Sequence, residues 1–194
     1  MLDRRAVVHA LLRDRGALLV VAGLGAPAWD VASQGDHPAN MPLWGGMGGA
    51  AMMGLGLALA QPTRCVLVVT GDGEMLMGLG SLATIAVQRP TNLAVVVLDN
   101  SQYGETGGQE TATHYGCDLA AVARGCGIAD ARTVTGEAEL PRLREEVHLA
   151  RGPLVAVAKV APGNLPLALP PRDAAFLQAR FREAVLGPDA HHQR

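Results

Sequence analysis

Two apolar runs constrain this chain more than any other feature. "RCVLVVTGDG" (64–73) and "NLAVVVLDN" (92–100) are nearly unbroken rows of Val, Leu and Ala that end on small or oxygen-bearing residues. A strand with one wet face alternates apolar and polar side chains, whereas a continuously apolar strand must be covered on both faces. Shorter runs of the same kind stand on either side: "ALLVVAGLG" from Ala17, "PLVAVAKV" (153–160) and the weaker "DARTVT" (130–135). Stretches of helical length separate them. This alternation predicts an α/β fold with three layers, α/β/α, around a mostly parallel sheet.

The expected helices run over 3–13, where Val7, Ala10 and Leu11 recur at helical spacing before Gly16, and over 47–61 and 75–89, each closed by a proline. Three more are expected over 118–127, 137–152 and 172–187. Loop chemistry fills the chain from the first strand to about Gly46. The segment Ser101 to Gly116 is polar, Gly-rich and without periodicity. Connections of that length are usually functional. Residues 161–171 read as an extended Pro-rich link. No boundary interrupts the pattern, so 1–187 is expected to be a single domain and 188–194 a frayed tail.

Composition excludes several function classes. Hydrophobic residues make up 49% of the chain and aromatics only 3%, so the core must be aliphatic. A net charge of −2 gives no basic footprint for nucleic acid. Three cysteines, Cys65, Cys117 and Cys126, are odd in number and lack C-x-x-C spacing, which argues against disulfides, a cluster or structural zinc. Reduced thiols suit a cytoplasmic protein. The charged first stretch lacks the apolar h-region of a signal peptide, and "MMGLGLALA" is too short to span a bilayer, so no membrane partner is expected.

In an open parallel sheet, ligands sit beyond the carboxyl ends of the strands. Gly71–Gly73 and Asp99–Asn100 both fall at such ends. If their strands are neighbours, Asp72 and Asn100 face one crevice, and the loop after Asn100 can turn a backbone carbonyl inward. Three hard oxygen donors suit Mg2+, which usually completes its shell with phosphate oxygens and water. Gly71 and Gly73 allow close approach of the backbone to a diphosphate, toward which the Gly73 and Glu74 amides would point.

Gly-Asp-Gly, the stretch Glu74 to Leu98, and then Asp99-Asn100 resemble the pyrophosphate-binding domain of thiamine diphosphate enzymes. The resemblance implies that Asp72, Asn100 and the backbone carbonyl of Gln102 are the metal ligands. Asp99 departs from the usual Asn-Asn ending, at the position that is not a ligand. "LWGGMGGAAMMGLGLALA" is similar to the segment that precedes Gly-Asp-Gly in these enzymes. It implies that Met47 props the bent cofactor and that its amide binds a pyrimidine nitrogen, with the Gly45 carbonyl accepting from the aminopyrimidine. "GLGAPAWD" could offer the Gly25 and Ala26 amides to the diphosphate. The resemblance also implies that Tyr103 and Gly104, in the loop that follows Asn100, adjoin the cofactor.

The stretch from Gly71 to Thr111 further resembles the sulfopyruvate decarboxylase beta-subunit family and the matching half of phosphonopyruvate decarboxylases. The function so implied is that of a carboxy-lyase, a thiamine diphosphate- and Mg2+-dependent decarboxylase that turns a small anionic 2-oxo acid into an aldehyde and carbon dioxide. The glutamate that activates the pyrimidine ring would come from a pyrimidine-binding alpha subunit in a hetero-oligomer, Glu74 lying at the wrong end. His114 and Gln109, with Tyr103 and Thr106, are candidates to bind the substrate tail or the leaving carbon dioxide, and Gly104, Gly107 and Gly108 to hinge the loop. A carboligase or synthase subunit is the alternative within this chemistry. A ferredoxin-linked oxidoreductase beta chain would usually carry cluster cysteines that are absent here. A non-catalytic cofactor-binding or scaffold subunit is the alternative of another class.

Overall fold

The computed structural model describes residues 1–149, 151–163 and 165–191. Its main sheet has six strands: β1 (Leu19–Ala22), β2 (Asn40–Pro42), β3 (Val66–Gly71), β4 (Leu93–Asp99), β7 (Asp130–Val134) and β8 (Leu154–Lys159). They lie in the order β2-β1-β3-β4-β8-β7, and every pairing is parallel. β5 (Gln102–Tyr103) and β6 (Gln109–Glu110) form a small separate antiparallel hairpin.

Each central strand feeds two cores because successive side chains point to opposite faces. On one face Val66, Val68, Val95 and Val97 pack with helices α3 (Ala50–Ala60), α5 (Ser81–Gln88) and α6 (Leu119–Gly125). On the other, Leu67, Val69, Val96 and Leu98 pack with α1 (Arg4–Leu12), α2 (Ala26–Ala32) and α7 (Leu140–His148). The three-layer α/β/α expectation is met. α8 (Ala174–Leu186) lays Phe181, Ala184 and Val185 against the first core.

Three local expectations are corrected. The loop before Gly46 contains α2, opened by Pro27 in its first turn, and the short β2, which ends on Pro42 at the sheet edge. The helix expected over 75–89 is two: α4 (Asp72–Met77) begins at Asp72 itself, and Gly78 and Gly80 separate it from α5. Gly187–His191 is a 3-10 turn in which the Ala190 carbonyl accepts from Arg182 Nε at 2.8 Å, so this part of the tail is folded back; residues 192–194 lie outside the described residues.

β3 and β4 are adjacent, with Gly71 paired to Leu98. The two oxygen-bearing strand ends therefore open on one side of the sheet. Among the described residues, no helix is long and apolar enough to cross a membrane.

Candidate functional site

A cavity of about 380 Å³ lies at the carboxyl ends of β1, β3 and β4. Its wall includes Asp72, Asn100 and Gln102, the three expected cation ligands, and also Gly71, Gly73, Glu74, Ala26, Met47, Tyr103 and Gly104.

Asp72 is fully buried at the first position of α4. Its Oδ2 accepts from the Thr111 hydroxyl at 2.6 Å and lies 3.3 Å from that of Thr113. Burial pushes its carboxyl above the usual carboxylate range, and the neighbouring Asp99 charge adds to this; the Thr111 hydroxyl opposes it. A buried carboxylate held by hydroxyls and destabilised as an anion is suited to receive a cation. Asn100 Oδ1 accepts from the Gln102 amide at 3.0 Å, which curls the backbone after β4 and retains an oxygen lone pair. Thr113 also donates to Asp99 Oδ1 at 2.8 Å, and Asp99 Oδ2 pairs with Lys159 across the β4–β8 register.

Glu74 plays a different part from the one its position suggests. Its side chain accepts from Thr70 Oγ1 at 2.7 Å and from the Ala50 amide at 3.3 Å, and the Gly48 and Leu24 amides stand close enough to favour its charged form. One buried carboxylate thus ties together the loops after β1 and β2 and the end of β3. Burial raises its pKa, and these donors oppose the rise. A Cβ on Gly23 would fall 1.8 Å from Glu74 Oε2, so that glycine makes room for the brace.

Close approach explains two more glycines. A Cβ on Gly73 would lie 2.5 Å from the Tyr103 ring, and one on Gly25, where φ is +78°, would lie 2.8 Å from Glu105 Cγ. The hairpin of β5 and β6 therefore rests on both Gly-bearing loops. Gly25 itself does not line the cavity, although Ala26 beside it does.

Besides Gly25, three expected residues are not brought to the cavity. Gly45 is exposed beyond its wall. Gln109 spends its side chain on Thr106, accepting from the hydroxyl at 2.9 Å and donating to the carbonyl at 2.8 Å. His114 is half exposed, 3.2 Å from Glu110 and edge-on to Tyr115. Neither side chain lines the cavity; both are exposed in the segment that follows Gly104.

The site also holds residues that sequence reasoning misses. Thr111 and Thr113 carried one available signal, a Thr-x-Thr pair in a loop otherwise rich in glycine. Lys159, the sole lysine, stands on a strand end like Asp99. Arg4 and Asp30 line the cavity from α1 and α2, and both are buried. Asp30 carries a pKa pushed up to about 6 by burial, against the guanidinium groups of Arg4 and Arg5.

The donor set fits a diphosphate-bound cation: one carboxylate, one amide oxygen and one main-chain carbonyl are all hard ligands. Leu24, Met47, Leu98 and Val160 give the same cavity an apolar lining suited to an organic ring.

Comparison with known proteins agrees with this geometry. Residues 25–158 match the model of the thiamine pyrophosphate enzyme family's C-terminal TPP-binding domain. The chain is 40% identical to the sulfopyruvate decarboxylase subunit beta of Methanothermobacter thermautotrophicus, over 96% of this chain and 97% of that one. It is 38% identical to the phosphonopyruvate decarboxylase of Streptomyces viridochromogenes, over 88% of this chain and 43% of that one. The fold superposes on benzoylformate decarboxylase from Polynucleobacter necessarius with a TM-score of 0.69 at 22% identity, covering 86% of this chain and 34% of that one.

Proposed function

The chain belongs to the thiamine pyrophosphate enzyme family, and from that premise we propose that it is the cofactor-binding beta subunit of a 2-oxo acid decarboxylase. Its substrate would be a small acid with an anionic tail, sulfopyruvate first and phosphonopyruvate second. The observation that carries the reading is that Asp72, Asn100 and Gln102 line one cavity with a ring-sized apolar wall.

In this reading Asp72, Asn100 and the Gln102 carbonyl hold Mg2+, and the Gly71–Gly73 backbone lies against the diphosphate. Thr111 and Thr113 fix the Asp72 carboxylate, while Glu74 braces the loops that carry Ala26 and Met47. Met47, about one-third exposed at the cavity edge, supports the ring system. Thiamine diphosphate, when bound, supplies the thiazolium ring that accepts the electron pair released as carbon dioxide leaves. The apolar wall of Leu24, Met47, Leu98 and Val160 would keep water from that charge.

A partner is part of the proposal. The Glu74 carboxylate is committed to Thr70 and to backbone amides, and Glu105 lies over Gly25. The carboxylate that activates the pyrimidine is therefore assigned to an alpha subunit. Support comes from α3, which is apolar all round: Met52, Met53 and Leu59 stand exposed on it. A helix apolar on every side is one whose outer side is covered in the working protein.

The test is a decarboxylation assay on sulfopyruvate and phosphonopyruvate, with thiamine diphosphate and Mg2+. The chain alone should be inactive, and activity should appear with the pyrimidine-binding subunit. Mg2+-dependent binding of the cofactor without turnover of either acid by the pair would refute the decarboxylase reading.

A further inference from the structure

A second cavity, of about 230 Å³, shares no lining residue with the cofactor cavity. His9 and Arg13 reach it from the end of α1, and Arg15 from the turn that leads into β1. Asp36 and His37 reach it from the turn between α2 and β2. It therefore opens at the amino ends of the strands, whereas the cofactor cavity lies at their carboxyl ends.

Its charges show a surplus. Arg13 and Arg15 line it against one carboxylate, Asp36. Asp36 is already held by both terminal nitrogens of Arg180, which brings in a third cation. Behind Arg13 stands Asp14 at 3.9 Å, and Asp14 also faces Arg144 at 3.5 Å. Four guanidinium groups thus meet two carboxylates, a surplus of two positive charges with both histidines neutral. The carboxyl ends of α1 and α2 oppose this, each worth about half a negative charge at most. Arg144 Nε already satisfies the Arg13 carbonyl at the end of α1. A surplus of about one positive charge remains.

Arg15 is the centre of that surplus. No carboxylate bears on it, and burial lowers its pKa to about 10. Its Nη1 donates to Asn40 Oδ1, and its Nη2 to the Leu18 carbonyl at 2.8 Å and the Ala39 carbonyl at 3.4 Å. A guanidinium has five N–H groups, so two are left over. One of them is the buried Nε–H, which has no partner among the described residues. Three neutral oxygens pin Arg15 to the starts of β1 and β2 without neutralising it. A desolvated charge with no counter-ion is costly to keep. His37 adds a further donor: its Nδ1 accepts from the Ala39 amide at 3.1 Å, which leaves the ring proton on Nε2. Burial, together with the Arg15 and Arg180 charges, holds the His37 pKa below the usual imidazole value.

We propose that this second cavity is a binding site for a tetrahedral oxyanion of the phosphate class, held among Arg13, Arg15 and His37. The inference stands apart from the cofactor reading, since it uses none of the same residues. Guanidinium groups hold phosphate oxygens through paired N–H bonds, and the neutral His37 ring supplies one more. The volume is several times that of a water, roughly 30 Å³, so the ion enters with part of its hydration. Binding would give Arg15 the counter-ion that the chain itself does not provide.

Free phosphate and the anionic tail of a small acid share this chemistry, so inorganic phosphate and methylphosphonate are the two probes. Each is titrated into the full chain while the histidine rings are followed by NMR, with potassium chloride at equal ionic strength as the reference. Phosphate should raise the His37 pKa, because a nearby anion favours the charged ring. Arg15→Gln should weaken phosphate about tenfold or more, the scale of a charged hydrogen bond lost. Arg13→Gln, at an exposed position, should weaken it about threefold, which tests the idea even if Arg15→Gln folds poorly. Asp36→Asn removes the one lining carboxylate and releases Arg180, so it should tighten binding. Asp72→Ala should leave phosphate binding unchanged, whatever becomes of the cofactor reading. Methylphosphonate binding as well as phosphate would assign the site to a tail carried on a larger molecule, and a clear preference for phosphate to the free ion; either upholds the site. No effect on His37 beyond that of chloride, unchanged affinity in the Arg13→Gln chain, no tightening in Asp36→Asn, or loss of binding in Asp72→Ala overturns the proposal.

Discussion

Thr111 donates its hydroxyl to Asp72 Oδ2 at 2.6 Å, joining residues 39 apart in sequence. The bond connects the far end of the β5–β6 hairpin to the start of α4. The near end of that hairpin carries Asn100 and Gln102. The three proposed cation donors are thus held in one arrangement before any cation arrives, which lowers the ordering cost of binding.

Removing that bond should be felt as a metal requirement. Thr111→Val keeps the shape of the side chain and deletes the hydroxyl. It should raise the Mg2+ concentration for half-maximal cofactor binding by about tenfold, the scale of a hydrogen bond to a charged group. A Mg2+ titration at fixed thiamine diphosphate reads this directly. No change in the half-maximal concentration would mean that Asp72 is held well enough by its own backbone amide and by Thr113.

Asp99 and Lys159 should depend on each other more than either depends on anything else. Asp99 is almost wholly buried, while about a third of Lys159 is open to solvent. Lys159→Met leaves the Asp99 carboxylate with only the Thr113 and Ser101 hydroxyls and the Ser101 amide. A loss of about 2 kcal/mol is expected, below the full value for a buried pair because Lys159 is partly hydrated. The double variant Asp99→Asn/Lys159→Met should recover most of it. Chemical denaturation of the four proteins measures the coupling, and simple additivity would refute it.

This network marks where sequence reasoning stops. The ends of β3 and β4 are legible because unbroken apolar runs locate them, and the parallel pattern aims both at one side. The partners of Asp72 are not. Thr111 and Thr113 sit in a segment without periodicity, and only the path of the hairpin decides which carboxylate they meet. Arg4 and Asp30 read as ordinary residues of amphipathic stretches until α1 and α2 are packed side by side. The helix α2 itself is hidden because its seven residues are too few to display a period, and Pro27 was its one start signal. His114 and Gln109 stand exposed outside the cavity, a placement that their residue types and spacing do not disclose.

Gly73 should tolerate no side chain without moving the hairpin. The Cβ of Gly73→Ala would meet Tyr103 Cε1 at 2.5 Å and Cδ1 at 2.6 Å. Tyr103 is partly exposed and can swing away, so the cost to stability should be modest, about 1–2 kcal/mol. Cofactor affinity should fall more sharply, because Tyr103 adjoins Gln102. Adding Tyr103→Ala to Gly73→Ala should restore part of that affinity. Calorimetry on both variants tests the steric account, and a double variant no better than the single one would defeat it.

Asp30 should make the ligand-free chain less stable as pH rises from about 4 to about 6. Its folded-state pKa is pushed up to about 6, chiefly by burial, from 3.8. Over that window the folded chain binds more protons than the unfolded one, so raising the pH favours unfolding. The full difference corresponds to about 3 kcal/mol, lost progressively and complete above the folded value. Asp30→Asn lacks this ionisation, and its side-chain oxygen can still accept from one of the two guanidinium groups, which only donate. The unaltered chain should therefore lose stability relative to Asp30→Asn between pH 4 and pH 6, with the difference level above about pH 7. Denaturant midpoints for both proteins across this range provide the measurement. The opposite slope would mean that Arg4 and Arg5 together outweigh the burial of Asp30 and hold its carboxyl below the ordinary range.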